Sequence, residues 1–397
     1  MDQALQPTGL MRFVPIVLVL WACATDPEID ETDFEDPAWS EASDPDVPAV
    51  LEDAALETEP EASLDLVDDS ADPMELDELA DSDAAAAAPQ YRNPLGPNCA
   101  DPGVIKIVGT DGRPMFWAAC TGNGYPLWKS RDLVSWTRAG HIFTLKTKPK
   151  WASKNFWAPE IHKVGDGLVA YFSAHSPSRN RMCVGAARAK TMAGPWRDIG
   201  RPLVCNSHVG LIDAHAYTDG ATGKLYLYYK TDGNGLRPQE KTILFAHQLT
   251  ANGIGFVGKR RALLRNTLAW EGDVVEAPWV IHRGNFYYLF YSGFRYCNAT
   301  YGVGVARARS PLGPFTKKSG PILRSNASWS GPGHNSTVSA GGRRYLVYHA
   351  WEGAHDCNDD GARKLLLDRI TWQGGWPVIN NGTPSTGNKP APDVPSP

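Results

Sequence analysis

From residue 91 onward the chain is built of short apolar and aromatic runs separated by turns. Leu225-Tyr226-Leu227-Tyr228-Tyr229, Phe286-Tyr287-Tyr288-Leu289-Phe290-Tyr291 and Tyr345-Leu346-Val347-Tyr348-His349 are the clearest, with Asp219-Gly220 and Arg283-Gly284 ahead of the first two. Bounded runs rich in aromatic and branched residues predict strands buried between packed layers. No helical period persists between residues 91 and 397, so the pattern predicts an all-β domain.

The pattern also repeats. Asp101, Trp157, Asp213, Glu276 and His334 each open a β-rich stretch, at steps of 56, 56, 63 and 58 residues. Each step is long enough for one four-stranded sheet and its turns. A second signal has twice that period. Ala158-Pro159 returns as Ala277-Pro278, Gly185-Ala186-Ala187-Arg188-Ala189 as Gly304-Val305-Ala306-Arg307-Ala308, and Gly194-Pro195-Trp196 as Gly313-Pro314-Phe315, each at an offset of 119. A closed five-bladed β-propeller over residues 91–385 is the simplest ring that satisfies both counts. The five opening residues would then meet at its axis.

Composition divides the rest. Met11-Arg12 precedes an apolar stretch, Phe13 to Ala22, too short for a comfortable membrane span, so residues 1–23 are expected to be an export signal, with Met11 an alternative start to Met1. Leu20-Trp21-Ala22-Cys23 resembles a bacterial lipoprotein cleavage box, which would make Cys23 the lipidated N-terminus; an ordinary secretory cleavage nearby is the alternative. The expected location is the outer membrane or cell surface through that anchor, or otherwise the periplasm or exterior.

Residues 24–90 carry 24 Asp and Glu and no Lys or Arg, and are expected to be an acidic disordered tether. Residues 386–397 are expected to be a disordered tail. Behind the formal charge of −5 for the whole chain, residues 91–397 hold 38 Lys and Arg against 19 Asp and Glu, a formal +19. No recognition helix or single-strand-binding signature accompanies that charge, so nucleic acid is not expected as a partner. Anionic surfaces, the acidic tether and acidic polysaccharide fit it better.

Cys23 aside, six cysteines remain: Cys99, Cys120, Cys183, Cys205, Cys297 and Cys357. Fifteen pairings are open, among them the neighbour pairing that would staple within or beside a blade, and the even count suits an oxidising compartment. The absence of Cys-x-x-Cys disfavours a zinc or thioredoxin-type site.

Five strings taken together resemble glycoside hydrolase family 43: Cys99-Ala100-Asp101-Pro102-Gly103, Phe156-Trp157-Ala158-Pro159-Glu160-Ile161, Leu211-Ile212-Asp213-Ala214-His215-Ala216, Val274-Val275-Glu276-Ala277-Pro278-Trp279 and Gly331-Pro332-Gly333-His334-Asn335-Ser336. The resemblance implies an inverting glycosidase. Inversion needs one carboxylate to activate water and one carboxylic acid to protonate the leaving oxygen on the opposite face. Asp101 matches the base, Glu276 the acid, and Asp213 the acid that orients Glu276 and tunes its pKa. Trp157 would offer an apolar platform to a sugar, balanced against simple blade packing, and His215 would line the pocket. Glu160 is expected to point elsewhere. His334 resembles a central histidine that contacts a metal ion, often calcium through water; no cofactor is required, and the alternative is a histidine that only hydrogen-bonds at the axis.

The strings favour arabinan or arabinofuranosyl side chains of plant cell walls, cut by an α-L-arabinofuranosidase or endo-1,5-α-L-arabinanase. A β-xylosidase acting on xylan is the alternative within the family, and a catalytically silent carbohydrate-binding propeller the alternative outside it. The protein is expected to be a monomer that touches membrane only through its anchor. Gly253-Ile254-Gly255-Phe256-Val257-Gly258 lacks a following helix and is expected to be a turn, and no Gly-x-Ser-x-Gly elbow supports an esterase.

Overall fold

The structure, a computed structural model, describes residues 89–109 and 112–394. The expected export signal, Cys23 and residues 24–88 of the expected tether lie outside them. After a short β1 (Gln90–Tyr91), twenty strands form five four-stranded antiparallel sheets, each in sequence order. The first holds β2 (Gly103–Val108), β3 (Pro114–Ala119), β4 (Pro126–Ser130) and β5 (Thr137–His141). The second holds β6 (Lys154–Val164), β7 (Gly167–Ser176), β8 (Arg181–Ala189) and β9 (Arg197–Asp198), and the third β10 (Leu211–Thr218), β11 (Leu225–Thr231), β12 (Ile243–Leu249) and β13 (Phe256–Arg265). The fourth holds β14 (Val275–Arg283), β15 (Phe286–Gly293), β16 (Gly302–Ala308) and β17 (Thr316–Lys317), and the fifth β18 (Trp329–Ala340), β19 (Arg343–Glu352), β20 (Lys364–Gln373) and β21 (Trp376–Ile379).

The first strands of the five sheets, β2, β6, β10, β14 and β18, touch one another in a ring. Five apolar cores fill the five spaces between adjacent blades, the last of them joining Val104 and Phe116 of the first blade to Val347 and Leu365 of the fifth. This is a closed five-bladed propeller. Continuous apolar runs are the second strands: all seven residues of β11 are buried because neighbouring blades cover both faces. At the axis the inner strands crowd so closely that a Cβ on Gly103 would lie 2.2 Å from the Pro159 carbonyl oxygen. Only glycine fits there.

The 119-residue repeat has a packing cause. Trp151 lies against Phe172 and above Gly185, and Trp270 against Tyr291 and above Gly304, so the second and fourth blades share one three-residue unit.

Both ends of the domain depart from expectation. Gln90, placed in the tether by composition, belongs to β1, and the tail expected from residue 386 instead contributes β22 (Lys389–Pro390), which pairs antiparallel with β1. A Pro- and Gly-rich end is read as coil from composition, but the segment before the first blade supplies it a partner. That same segment runs along the fifth blade, with Leu95 N–H donating to the Leu365 carbonyl and Asn93 bonded both ways to Leu367. The disulfides follow the neighbour pairing: Cys99–Cys120, Cys183–Cys205 and Cys297–Cys357.

Candidate active site

Each inner strand is irregular where it opens onto the axis. Asp101, Ala158, Asp213, Ala277 and His334 all have positive φ, between 45° and 59°, and register shifts interrupt β6, β10, β14 and β18 beside them. Left-handed backbone at a non-glycine residue costs about 1 to 3 kcal/mol and persists only where surroundings impose it. Here a hydrogen bond does so. The Ala158, Asp213 and His334 N–H groups donate to Thr121, Ser173 and Ser292 hydroxyls at 2.8, 3.0 and 2.8 Å, and the Asp101 N–H donates to His349 Nδ1 at 3.1 Å. In every case the acceptor sits on or just after the second strand of the preceding blade. The Ala277 N–H differs, donating to Asp213 Oδ2 at 3.0 Å.

Asp101 is buried among cations and donors. Arg363 Nη1 reaches its Oδ1 at 2.5 Å, His334 Nδ1 and His349 Nδ1 lie 3.3 and 3.4 Å from the same oxygen, and Thr121 Oγ1 donates to Oδ2 at 2.6 Å. Burial favours the neutral acid, but Arg363, His334 and Thr121 outweigh it and hold Asp101 well below the usual carboxylate range. His349 is itself kept neutral, first by burial and then by Arg363.

The other two acids stand in a different field. Asp213 is raised to about 6, chiefly by burial, with Glu276 and Asp101 adding to the rise and His334 and Lys230 opposing it. Glu276 accepts from Lys230 Nζ at 2.8 Å on Oε2 and from Tyr301 Oη at 2.7 Å on Oε1. One end of the axis therefore carries a carboxylate held charged and a second pair that shares a buried ammonium.

Trp157 occupies the register position of Glu276: it pairs with Ser173 on β7 as Glu276 pairs with Ser292 on β15. The residue is 36 % exposed, unlike the buried blade aromatics. His215 lines the axial chamber together with Asp101 and Asp213. It is buried, stacked on Trp279 with centroids 4.2 Å apart, and bonded through Nδ1 to Glu160 Oε2 at 3.1 Å. The register shift between Ile212 and His215 sets it in this chamber, which Glu160, His334 and Asn335 also line. Glu160 serves the scaffold, accepting the Ala216 N–H at 2.7 Å.

Among the described residues no three His, Cys, Asp or Glu side chains converge to cage a bare ion. The chamber nevertheless exposes His215 Nε2 and both polar side-chain atoms of Asn335, buried and without a partner among the described residues. Those groups, with His334 and two carboxylates nearby, suit a hydrated cation that binds through its waters.

Lys230, Tyr301, His349 and Arg363 were not singled out from the sequence. Lys230 had a visible signal, a lysine ending the otherwise apolar run of β11, while Tyr301 and Arg363 lie on loops joined by Cys297–Cys357.

The structure is a closed five-bladed propeller whose inner strands gather Asp101, Asp213 and Glu276 near its axis. The family model for glycosyl hydrolases family 43 matches residues 91–377, and the chain belongs to that family; it is a glycoside hydrolase. An extracellular exo-α-(1→5)-L-arabinofuranosidase of Cellvibrio japonicus (strain Ueda107) is 27% identical over 289 residues, 66% of this chain and 81% of that one. An extracellular endo-α-(1→5)-L-arabinanase of Bacillus subtilis (strain 168) is 29% identical over 303 residues, 70% of this chain and 86% of that one. The crystal structure of a thermostable family-43 glycoside hydrolase, 28% identical, matches with a TM-score of 0.68 over 77% of this chain and 100% of that one.

Proposed function

We propose that this protein hydrolyses α-1,5-linked arabinan or arabinofuranosyl side chains with inversion, and that it does so outside the cytoplasm. The observation that carries the chemistry is the contrast between Asp101, held ionised by Arg363 with His334 and Thr121 beside it, and Glu276, bonded to Lys230 near Asp213. A base must be charged when water arrives, and an acid must stand where its proton can reach the leaving oxygen. Asp101 activates the water, Glu276 protonates the leaving oxygen, and Asp213 orients the acid end through the Ala277 N–H. Trp157 carries a sugar ring on its exposed face.

The substrate rests on the relatives, named for α-(1→5)-L-arabinan cleavage in both exo and endo modes, and export rests on their extracellular description. Lipidation at Cys23, a monomeric state and a hydrated axial cation near His334 belong to the same proposal. Such a cation would supply positive charge opposite the buried carboxylates. Incubation of the purified protein with linear arabinan and with xylo-oligosaccharides tests the reading. Arabinose or arabino-oligosaccharides are expected; xylose alone would promote the xylosidase alternative, and no product would favour the silent propeller.

A further inference from the structure

The hydrogen-bond rule at the axis has one exception, and it lies beside Glu276. By strand register, Ser173 stands opposite Trp157, Ser292 opposite Glu276 and His349 opposite Gly333, each one residue before a left-handed position. The corresponding residue on β11, opposite Ile212, is Lys230. An ammonium has no lone pair to accept an N–H. The Ala277 N–H therefore turns to Asp213, and the lysine, fully buried, is left to donate to Glu276 Oε2 at 2.8 Å and Asn234 Oδ1 at 3.0 Å.

We propose that Lys230 is a positioning residue for the acid: with Tyr301 it fixes the Glu276 carboxyl and stabilises the carboxylate left behind when the proton departs. This rests on the reading of Glu276 as the acid. In the step itself the glycosidic C–O bond breaks with its electron pair on oxygen, and that oxygen takes the Glu276 proton. Water adds its oxygen to the anomeric carbon and gives a proton to Asp101. Negative charge thus appears on Glu276 as the leaving group forms, beside an ammonium already in place and in a site with little water to reorganise. The groups facing Glu276 are Lys230 from β11, Asp232 just beyond it, Asp213 on β10 and Tyr301 ahead of β16. Burial works against a charged lysine, but Glu276, Asp213 and Asp232 together keep Lys230 protonated.

The test uses the leaving group. Lys230→Ser installs the hydroxyl found at two of the equivalent positions, and Lys230→Gln keeps a donor of similar reach without the charge, so the readouts survive if one variant folds poorly. Each is assayed on arabino-oligosaccharide, whose leaving oxygen needs a proton, and on 4-nitrophenyl α-L-arabinofuranoside, whose leaving group does not. The expected result is a loss of about 10- to 100-fold on the oligosaccharide, less than about threefold on the aryl glycoside, and an alkaline limb of kcat/KM moved up by about one pH unit. An unmoved limb with equal losses on both substrates would overturn the proposal and leave Lys230 a structural residue. Glu276→Gln is run alongside: if it cleaves oligosaccharide at the wild-type rate, the acid assignment fails independently of Lys230.

Discussion

The Arg363 guanidinium meets the Asp101 carboxylate at 2.5 Å across a sequence separation of 262 residues. The loop that delivers it follows Cys357, which is tied to Cys297, and the guanidinium stands 4.7 Å from the centre of the Tyr296 ring. The carboxylate proposed as the base, beside the first blade, is thus kept charged by a residue of the fifth.

Arg363→Ala leaves burial of Asp101 less opposed, so its pKa rises and the acidic limb of kcat/KM moves to higher pH. Removing one partner of a buried pair costs about 3 to 5 kcal/mol. A pH–rate profile and urea unfolding read both effects; an unmoved acidic limb would show that His334 and Thr121 suffice.

Asp101 also predicts how stability falls in acid. Its folded-state pKa is depressed, so its contribution is present above the unfolded value of ~3.9 and is lost as pH falls through the folded one. The stability gap between wild type and Asp101→Asn should shrink below about pH 4, measured by urea unfolding from pH 7 to 2.5. A constant gap would contradict the ion-pair account.

Asp213 carries the opposite sign. Its pKa is raised to about 6, so the wild type loses stability as pH rises from the unfolded value through 6. Asp213→Asn lacks that loss and can still accept the Ala277 N–H through its amide oxygen. It should be more stable than wild type by about 1 to 3 kcal/mol at pH 8, with the difference fading toward pH 4. Its activity should fall, which separates stability from function.

Much of this was legible in the sequence because the fold repeats. Spacing brings Asp101, Asp213, Glu276 and His334 to within one residue of the same point of each blade, the first, second and fourth on the left-handed residue and Glu276 one before it, and the resemblance supplied their roles. Trp157 came with them through its alignment with Glu276. The partners were not legible for a physical reason. Arg363 meets Asp101 only after the ring closes, and Lys230 gains meaning only once Ser173, Ser292 and His349 reveal the role its position normally plays. A two-residue spacing puts His215 on the same strand face as Asp213 and both line the chamber, but the left-handed Asp213 and the register shift beside it, which set His215 against Trp279 and Glu160, were not legible in the sequence.

The repeated packing unit predicts a stability effect of its own. A Cβ on Gly304 would come within 2.6 Å of the Trp270 ring and 2.7 Å of Tyr291. Gly304→Ala should destabilise by about 1 to 3 kcal/mol, with kcat near wild type under folding conditions. Gly342→Ala, where a Cβ meets nothing within 4 Å but φ is +72°, separates overpacking from backbone strain.

The central claim is that Asp101 and Glu276 divide base and acid work across the propeller axis. Turnover of linear arabinan by Asp101→Asn and by Glu276→Gln tests it most directly, each variant first shown to be folded. The account predicts that each falls by about 10² to 10⁴. Turnover within about tenfold of wild type in either variant would contradict it, because general acid or base catalysis contributes more than that.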